Sequence, residues 1–180
     1  MSKDREQFIK KYANDVIKAV EGTPIFPSVK MAQFIIESAN SKGESGKGIT
    51  FVKANNGFGI KADKSWTGPK MSFNTPKDGK PVSMFRVYSS PIDSIKDHTA
   101  FLQKNKRYSK VFTAKTPEEQ VKAIFEAGYS ESPTYDKALL SLINAYNLKS
   151  LDKQKPTTDN SGIVTLLLLA VGSWYIFAEH

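Results

Sequence analysis

Glu37 follows Val29, Met31, Ala32, Phe34, Ile35 and Ile36, a run that leaves a helix no wide polar face. A buried acid without a partner is costly, and its usual escape is a raised pKa. A general acid working near neutral pH needs that same property. The plain alternative is a glutamate at a helix end, reaching solvent over the Gly/Ser-rich residues 40–48. Further polar candidates lie downstream. Lys53 to Ala62, KANNGFGIKA, suits a tight loop bearing side-chain amides, although Asn and Gly at such density also serve turns alone. Tyr129 and Tyr135 flank a helix junction, where a tyrosine is as readily a packing residue. His98 sits mid-helix with no second His or Cys near it, so no metal site is expected. No GxSxG, HExxH or Ser/His/Asp set is present.

These side chains need helices and turns to hold them. Phe8, Ile9, Tyr12, Ala13, Val16, Ile17 and Val20 recur at helical spacing and make an amphipathic first helix. PSVK opens the Glu37 helix after Pro24 and Pro27. Ser90-Pro91 starts another, with proline at the first helical position. Thr116-Pro117-Glu118-Glu119 is a capping box, and Gly128 ends the helix it opens. TYDKALLSLINAYNL is the last helix of the globular part. MSFNT and VSMFRVY read as strands, joined by turn chemistry with Asp78-Gly79 at its centre. The expected fold is α+β, mainly helical, with one small β-hairpin.

The 180 residues carry 26 Lys+Arg against 18 Asp+Glu, a net charge of +8 that favours anionic partners such as a cell wall, a lipid surface or nucleic acid. The positives are scattered and form no nucleic-acid motif, so nucleic acid is not an expected partner. There is no cysteine, which excludes disulfides and thiolate metal sites.

Four segments in order resemble one family. Ala32-Gln33 through Glu37-Ser38 is similar to its Q-A-x-x-E-S catalytic helix, and Asn55 to Lys61 to its N-N-x-F-G-I-K segment. Phe85 to Ser90 resembles F-R-x-Y-x-S, and Ala127-Gly128-Tyr129 with Pro133 and Tyr135 resembles A-G-Y-A-T-D-P-x-Y. The family is the glucosaminidase group of peptidoglycan hydrolases, and the likeness covers roughly residues 5–150. It implies a lysozyme-like domain that cleaves N-acetylglucosamine β-1,4 bonds and uses no cofactor. It assigns Glu37 as general acid and places Tyr129 in the cleft. Asn55, Asn56, Phe58, Gly59, Lys61 and Tyr135 become substrate-binding residues, the amides for acetamido groups and the aromatic for a sugar face. One departure stands out. Where many relatives have T-x-E on the hairpin, this chain has Thr75-Pro76-Lys77-Asp78. Either Asp78 supplies the second carboxylate or the substrate's own acetamido group takes its part. Glu44 is a weaker candidate.

The C-terminal stretch differs in kind. Residues 149–162 read as a polar linker after a domain spanning 1–148, and residues 163–178 carry no charge. With Trp174 and Tyr175 as interfacial anchors, that run is expected to form a transmembrane helix. The N-terminus has no apolar segment of a secretory signal. Lys149, Lys153 and Lys155 before the span favour a cytoplasmic domain, whereas peptidoglycan lies across the membrane. A bacteriophage lysin in a virion or host-cell membrane reconciles the two. The rival expectations are an inactive wall-binding or virion structural module, and a lytic transglycosylase.

Overall fold

The computed structural model describes residues 2–73 and 82–153, and Asp78 and the 163–178 run lie outside them. Among the described residues six α-helices accompany one short hairpin: α1 (Lys3–Val20), α2 (Pro27–Glu37), α3 (Ile49–Ala54), α4 (Pro91–Lys104), α5 (Pro117–Glu126) and α6 (Tyr135–Ala145). Strands β1 (Lys70–Ser72) and β2 (Met84–Arg86) pair antiparallel with Met71 opposite Phe85. The helical lobe with its small hairpin matches the α+β expectation. Among the described residues no helix is long and apolar enough to cross a membrane.

Helix α2 is the central element. Residues Ser28 to Ile35 are all buried along it, and α1, α5 and α6 pack around it. Phe34 anchors an aromatic cluster, with ring centroids 4.9 Å from Phe8, 5.4 Å from Tyr12, 5.4 Å from Phe51 and 5.5 Å from Phe58. Gly57 lies so close that a Cβ there would sit 2.2 Å from the Phe34 ring, so the loop after α3 can approach only through glycine.

Both ends of α2 are pinned by distant groups. Phe26 stands at the N-cap and cannot cap with its side chain. Asp152 does so from the far end of the domain, accepting from Ser28 N and Ser28 Oγ, each at 2.8 Å. At the other end Ser38 Oγ donates to Phe34 O (2.6 Å) and accepts from Gly46 N (3.0 Å), which folds residues 40–48 back over the helix terminus.

That cap corrects the expected boundary at 148. Leu148–Lys153 form a 3-10 turn with Leu148 and Leu151 each 1% exposed, and this turn packs on α2. The segment reads as linker because its composition is polar, but two leucines three residues apart suffice to bury one face. The folded body therefore includes residues 148–153.

Arg86 secures the hairpin. It donates from Nη1 to Asp97 (2.8 Å) and from Nη2 to Asp63 (3.1 Å), while its guanidinium lies 4.7 Å from the Trp66 ring. Tyr88 Oη donates to the same Asp97 at 2.6 Å, so β2 and the segment just after it share one acceptor midway along α4.

Candidate active site

The last turn of α2 sets Glu37 beside the α5–α6 junction. Its Oε1 accepts a 2.6 Å hydrogen bond from Tyr135 Oη. Tyr135 opens α6 and is 4% exposed. Burial pushes the Glu37 carboxyl above the ordinary glutamate range, and the Tyr135 bond opposes that push without cancelling it. The physical outcome is an acid that keeps its proton to higher pH, next to a donor ready to stabilise the anion once the proton leaves.

Tyr129 follows Gly128, whose φ of 66° turns the chain out of α5. Its ring stacks on Tyr135 with centroids 5.6 Å apart and planes 26° from parallel. Burial, followed by the Glu37 and Tyr108 charges, holds its hydroxyl well above the usual tyrosine range, so it is a neutral phenol. Gln33, one turn before Glu37, is 1% exposed and lies beside Tyr135.

Glu37, Tyr129 and Tyr135 are thus brought together. The amide loop behaves differently. Asn56 is fully buried, donating to Ile60 O and Arg86 O (2.9 Å each) and accepting from Ile60 N at 3.0 Å. That spends both amide hydrogens on backbone, leaving no donor for an acetamido group. Phe58 is 7% exposed, with His98 stacked at 3.9 Å and Phe34 at 5.5 Å, so its faces are taken by the core and not by a sugar. Asn55 ends α3 with φ of 51° and donates to Tyr88 O at 3.0 Å. The loop's work is therefore to tie α3 to β2 and to the start of α4. Gly59, at φ of 60°, faces open space, since a Cβ there would meet nothing within 4 Å. Lys61 is exposed and bridges Phe85. Those two remain open to a ligand. Glu44 is exposed and engaged with Asn40 Nδ2 at 2.6 Å.

Two buried groups have a place that the sequence does not announce: Lys30 is not singled out there, and His98 is weighed only as a metal ligand. Lys30 is 0% exposed, and its Nζ lies 2.7 Å from His98 Nδ1 and 5.4 Å from the Phe58 ring centroid. His98 is 1% exposed, and its Nε2 lies 2.9 Å from Tyr129 Oη. A signal existed. Lys30, Gln33 and Glu37 follow i, i+3, i+7 spacing, which puts them on one face of an otherwise apolar helix. Among the described residues no His/Asp/Glu cluster is suited to a metal ion. An open depression lined by Val20, Pro24, Phe26 and Asp152 lies at the opposite end of α2, and its Asp152 is the helix cap already described.

Comparison with known proteins points the same way. Residues 13–148 match the family model described as Mannosyl-glycoprotein endo-beta-N-acetylglucosaminidase. The peptidoglycan hydrolase FlgJ of Salmonella typhimurium is 35% identical over 134 residues, 68% of this chain and 42% of that protein. The chain thus spans under half the length of that relative. The solved glycoside hydrolase domain of the same FlgJ is 31% identical, with a TM-score of 0.64 over 82% of this chain and 91% of that one. The catalytic domain of the Listeria monocytogenes autolysin Auto shares the fold, with a TM-score of 0.67 at 24% identity, covering 84% of this chain and 89% of the other.

Proposed function

Because the chain belongs to the glucosaminidase family, we propose that it is a peptidoglycan hydrolase acting on β-1,4 bonds of N-acetylglucosamine, with Glu37 as the general acid. One observation carries this reading: the family-motif glutamate is desolvated, holds its proton upward in pH, and is bonded to Tyr135. Glu37 donates that proton to the leaving glycosidic oxygen. The resulting carboxylate is stabilised by the Tyr135 hydroxyl, a bond that strengthens as charge develops on its acceptor. Tyr129, 5.6 Å away from Tyr135 ring to ring, lines the cleft on the same side. Gly59 and Lys61, which stay open to a ligand, are the residues of the Asn55 loop left to contact the sugar. Asp78 on the hairpin, or the substrate's acetamido group, supplies the second half of the reaction.

The 163–178 run is the membrane anchor of this reading, since 16 residues rich in Leu, Ile and Val without a charge gain free energy in hydrocarbon. Lys153 and Lys155 precede it, favouring a cytoplasmic domain; a phage lysin used for entry or lysis is the setting that puts such a domain in reach of the wall. The net charge of +8 concentrates the domain on an anionic wall or lipid surface.

Clearing of purified sacculi, run beside liposome flotation, tests the reading. The whole chain is expected to clear sacculi and to float with liposomes, and residues 1–155 to clear without floating. Binding to sacculi without clearing would make the chain a wall-binding module. A whole chain left in the soluble fraction would remove the anchor.

A further inference from the structure

A fully buried lysine on the catalytic helix needs a reason, because burying an ammonium is expensive unless its hydrogens are used. Lys30 reaches His98 Nδ1 at 2.7 Å, and His98 passes its other nitrogen to Tyr129 Oη at 2.9 Å. The chain of contacts thus begins on α2, crosses α4 and ends on the Tyr129 hydroxyl after α5. It is two helical turns long on the α2 side, from Lys30 to Glu37.

Donor logic orders the protons along it. An ammonium has three donors and no acceptor. His98 Nδ1 must therefore accept, which places the ring's single proton on Nε2. That N–H then donates to Tyr129 Oη, and the tyrosine's own O–H is left to turn to an acceptor other than His98. Resting on the glycosidase reading above, we propose that Lys30 and His98 are positioning residues that fix the Tyr129 hydroxyl as a donor pointed into the cleft beside Glu37. The stacked Phe58 ring, 3.9 Å from His98 and 9° from parallel, keeps the imidazole from rotating out of this line.

The electrostatics agree with that proton order. Burial pulls Lys30 down to about 7, whereas His98 falls well below the usual imidazole range through burial and the Lys30 charge. The lysine therefore takes the one proton the pair shares, and the ring stays neutral. From Lys30 the titratable groups run in series through His98 on α4 to Tyr129 after α5, which stacks on Tyr135 of α6, the donor to Glu37. The last acts on both tyrosines. Above its pKa the amine gains a lone pair and can accept, so the tautomer is no longer dictated.

The tautomer can be read directly, whether or not the chain turns over substrate. The chain holds two histidines, His98 and His180. A long-range proton–nitrogen spectrum of the ¹⁵N-labelled His180→Ala chain at pH 6 therefore reports on His98 alone. A neutral ring protonated on Nε2 is expected; a ring protonated on Nδ1, or an imidazolium, would overturn the proposal. Lys30→Met then tests the consequence, since it keeps most of the unbranched side chain and removes the donor. The His98 signals should move toward a mixture of tautomers. The kcat should fall about tenfold, the kinetic equivalent of one hydrogen bond, with KM within about twofold. Melting temperature should hold or rise, because a buried charge has gone. A Lys30→Met chain with wild-type kcat, or one that loses stability in proportion to kcat, would show Lys30 to be structural. A wild-type chain with no activity on sacculi would sink the glycosidase reading while the spectrum still decided the proton order.

Discussion

Replacing Glu37 with glutamine separates the two physical roles of that side chain. The amide keeps the size of the carboxyl and an oxygen to accept the 2.6 Å bond from Tyr135, so packing is preserved. The transferable proton is lost. General acid catalysis supplies about 10²- to 10⁴-fold, or about 3–5 kcal/mol at 1.36 kcal/mol per decade, so lysis should fall by at least about a hundredfold. Stability should move the other way. Burial raises the folded-state pKa of Glu37 above its unfolded value of about 4.3. Between those two values the folded chain holds a proton that the unfolded chain has released, and wild-type stability must fall as pH rises through that window. Above the folded-state pKa the penalty is constant. Glutamine does not titrate, so the Glu37→Gln chain should melt with wild type near pH 4 and above it at pH 8. Thermal melts at both values, run beside turbidity assays, give the comparison. Retention of more than about a tenth of wild-type activity, or a Glu37→Gln chain less stable than wild type at pH 8, would refute the assignment.

Three other substitutions probe the supports of the site. Tyr135→Phe removes a donor that favours the Glu37 anion, so the acid should hold its proton to higher pH and the alkaline limb of the pH–rate profile should move upward; a downward shift would contradict the bond's direction. Asp152→Ala strips Ser28 of both its acceptors at 2.8 Å and should cost about 2–4 kcal/mol. By melting temperature that is about 5–15 °C, and an unchanged value would put residues 148–153 outside the folded body after all. Asp78→Asn should lower turnover at least about tenfold if that carboxylate works opposite Glu37, and near-normal rates would give its role to the substrate's acetamido group.

Much of the fold is legible in the sequence because its signals are local. Pro27, Pro91 and Pro117 mark three helix starts, and Thr116 caps α5 by accepting from Glu119 N at 3.1 Å. The period of Phe8, Tyr12, Val16 and Val20 foretells the buried face of α1. Helix α3 is not legible: six residues rich in Ile, Thr, Phe and Val look as much like a strand as a helix. Within the site, Glu37 announces itself by its apolar neighbours. Asn56 and Phe58 mislead, since a dense Asn/Gly/aromatic loop has the same composition whether it binds a sugar or braces a hairpin. The Lys30–His98 pair spans 68 positions and neither residue carries a local cue to the other. Only the tertiary fold makes them neighbours.

The reducing ends that the chain leaves on peptidoglycan test the central claim most directly. Sacculi digested with wild type and with Glu37→Gln, then reduced and analysed by mass spectrometry, should yield fragments ending in reduced N-acetylglucosamine with the first chain and none with the second. Fragments ending in reduced or anhydro N-acetylmuramic acid, or the same fragments from both chains, would contradict an N-acetylglucosaminidase that uses Glu37 as its acid.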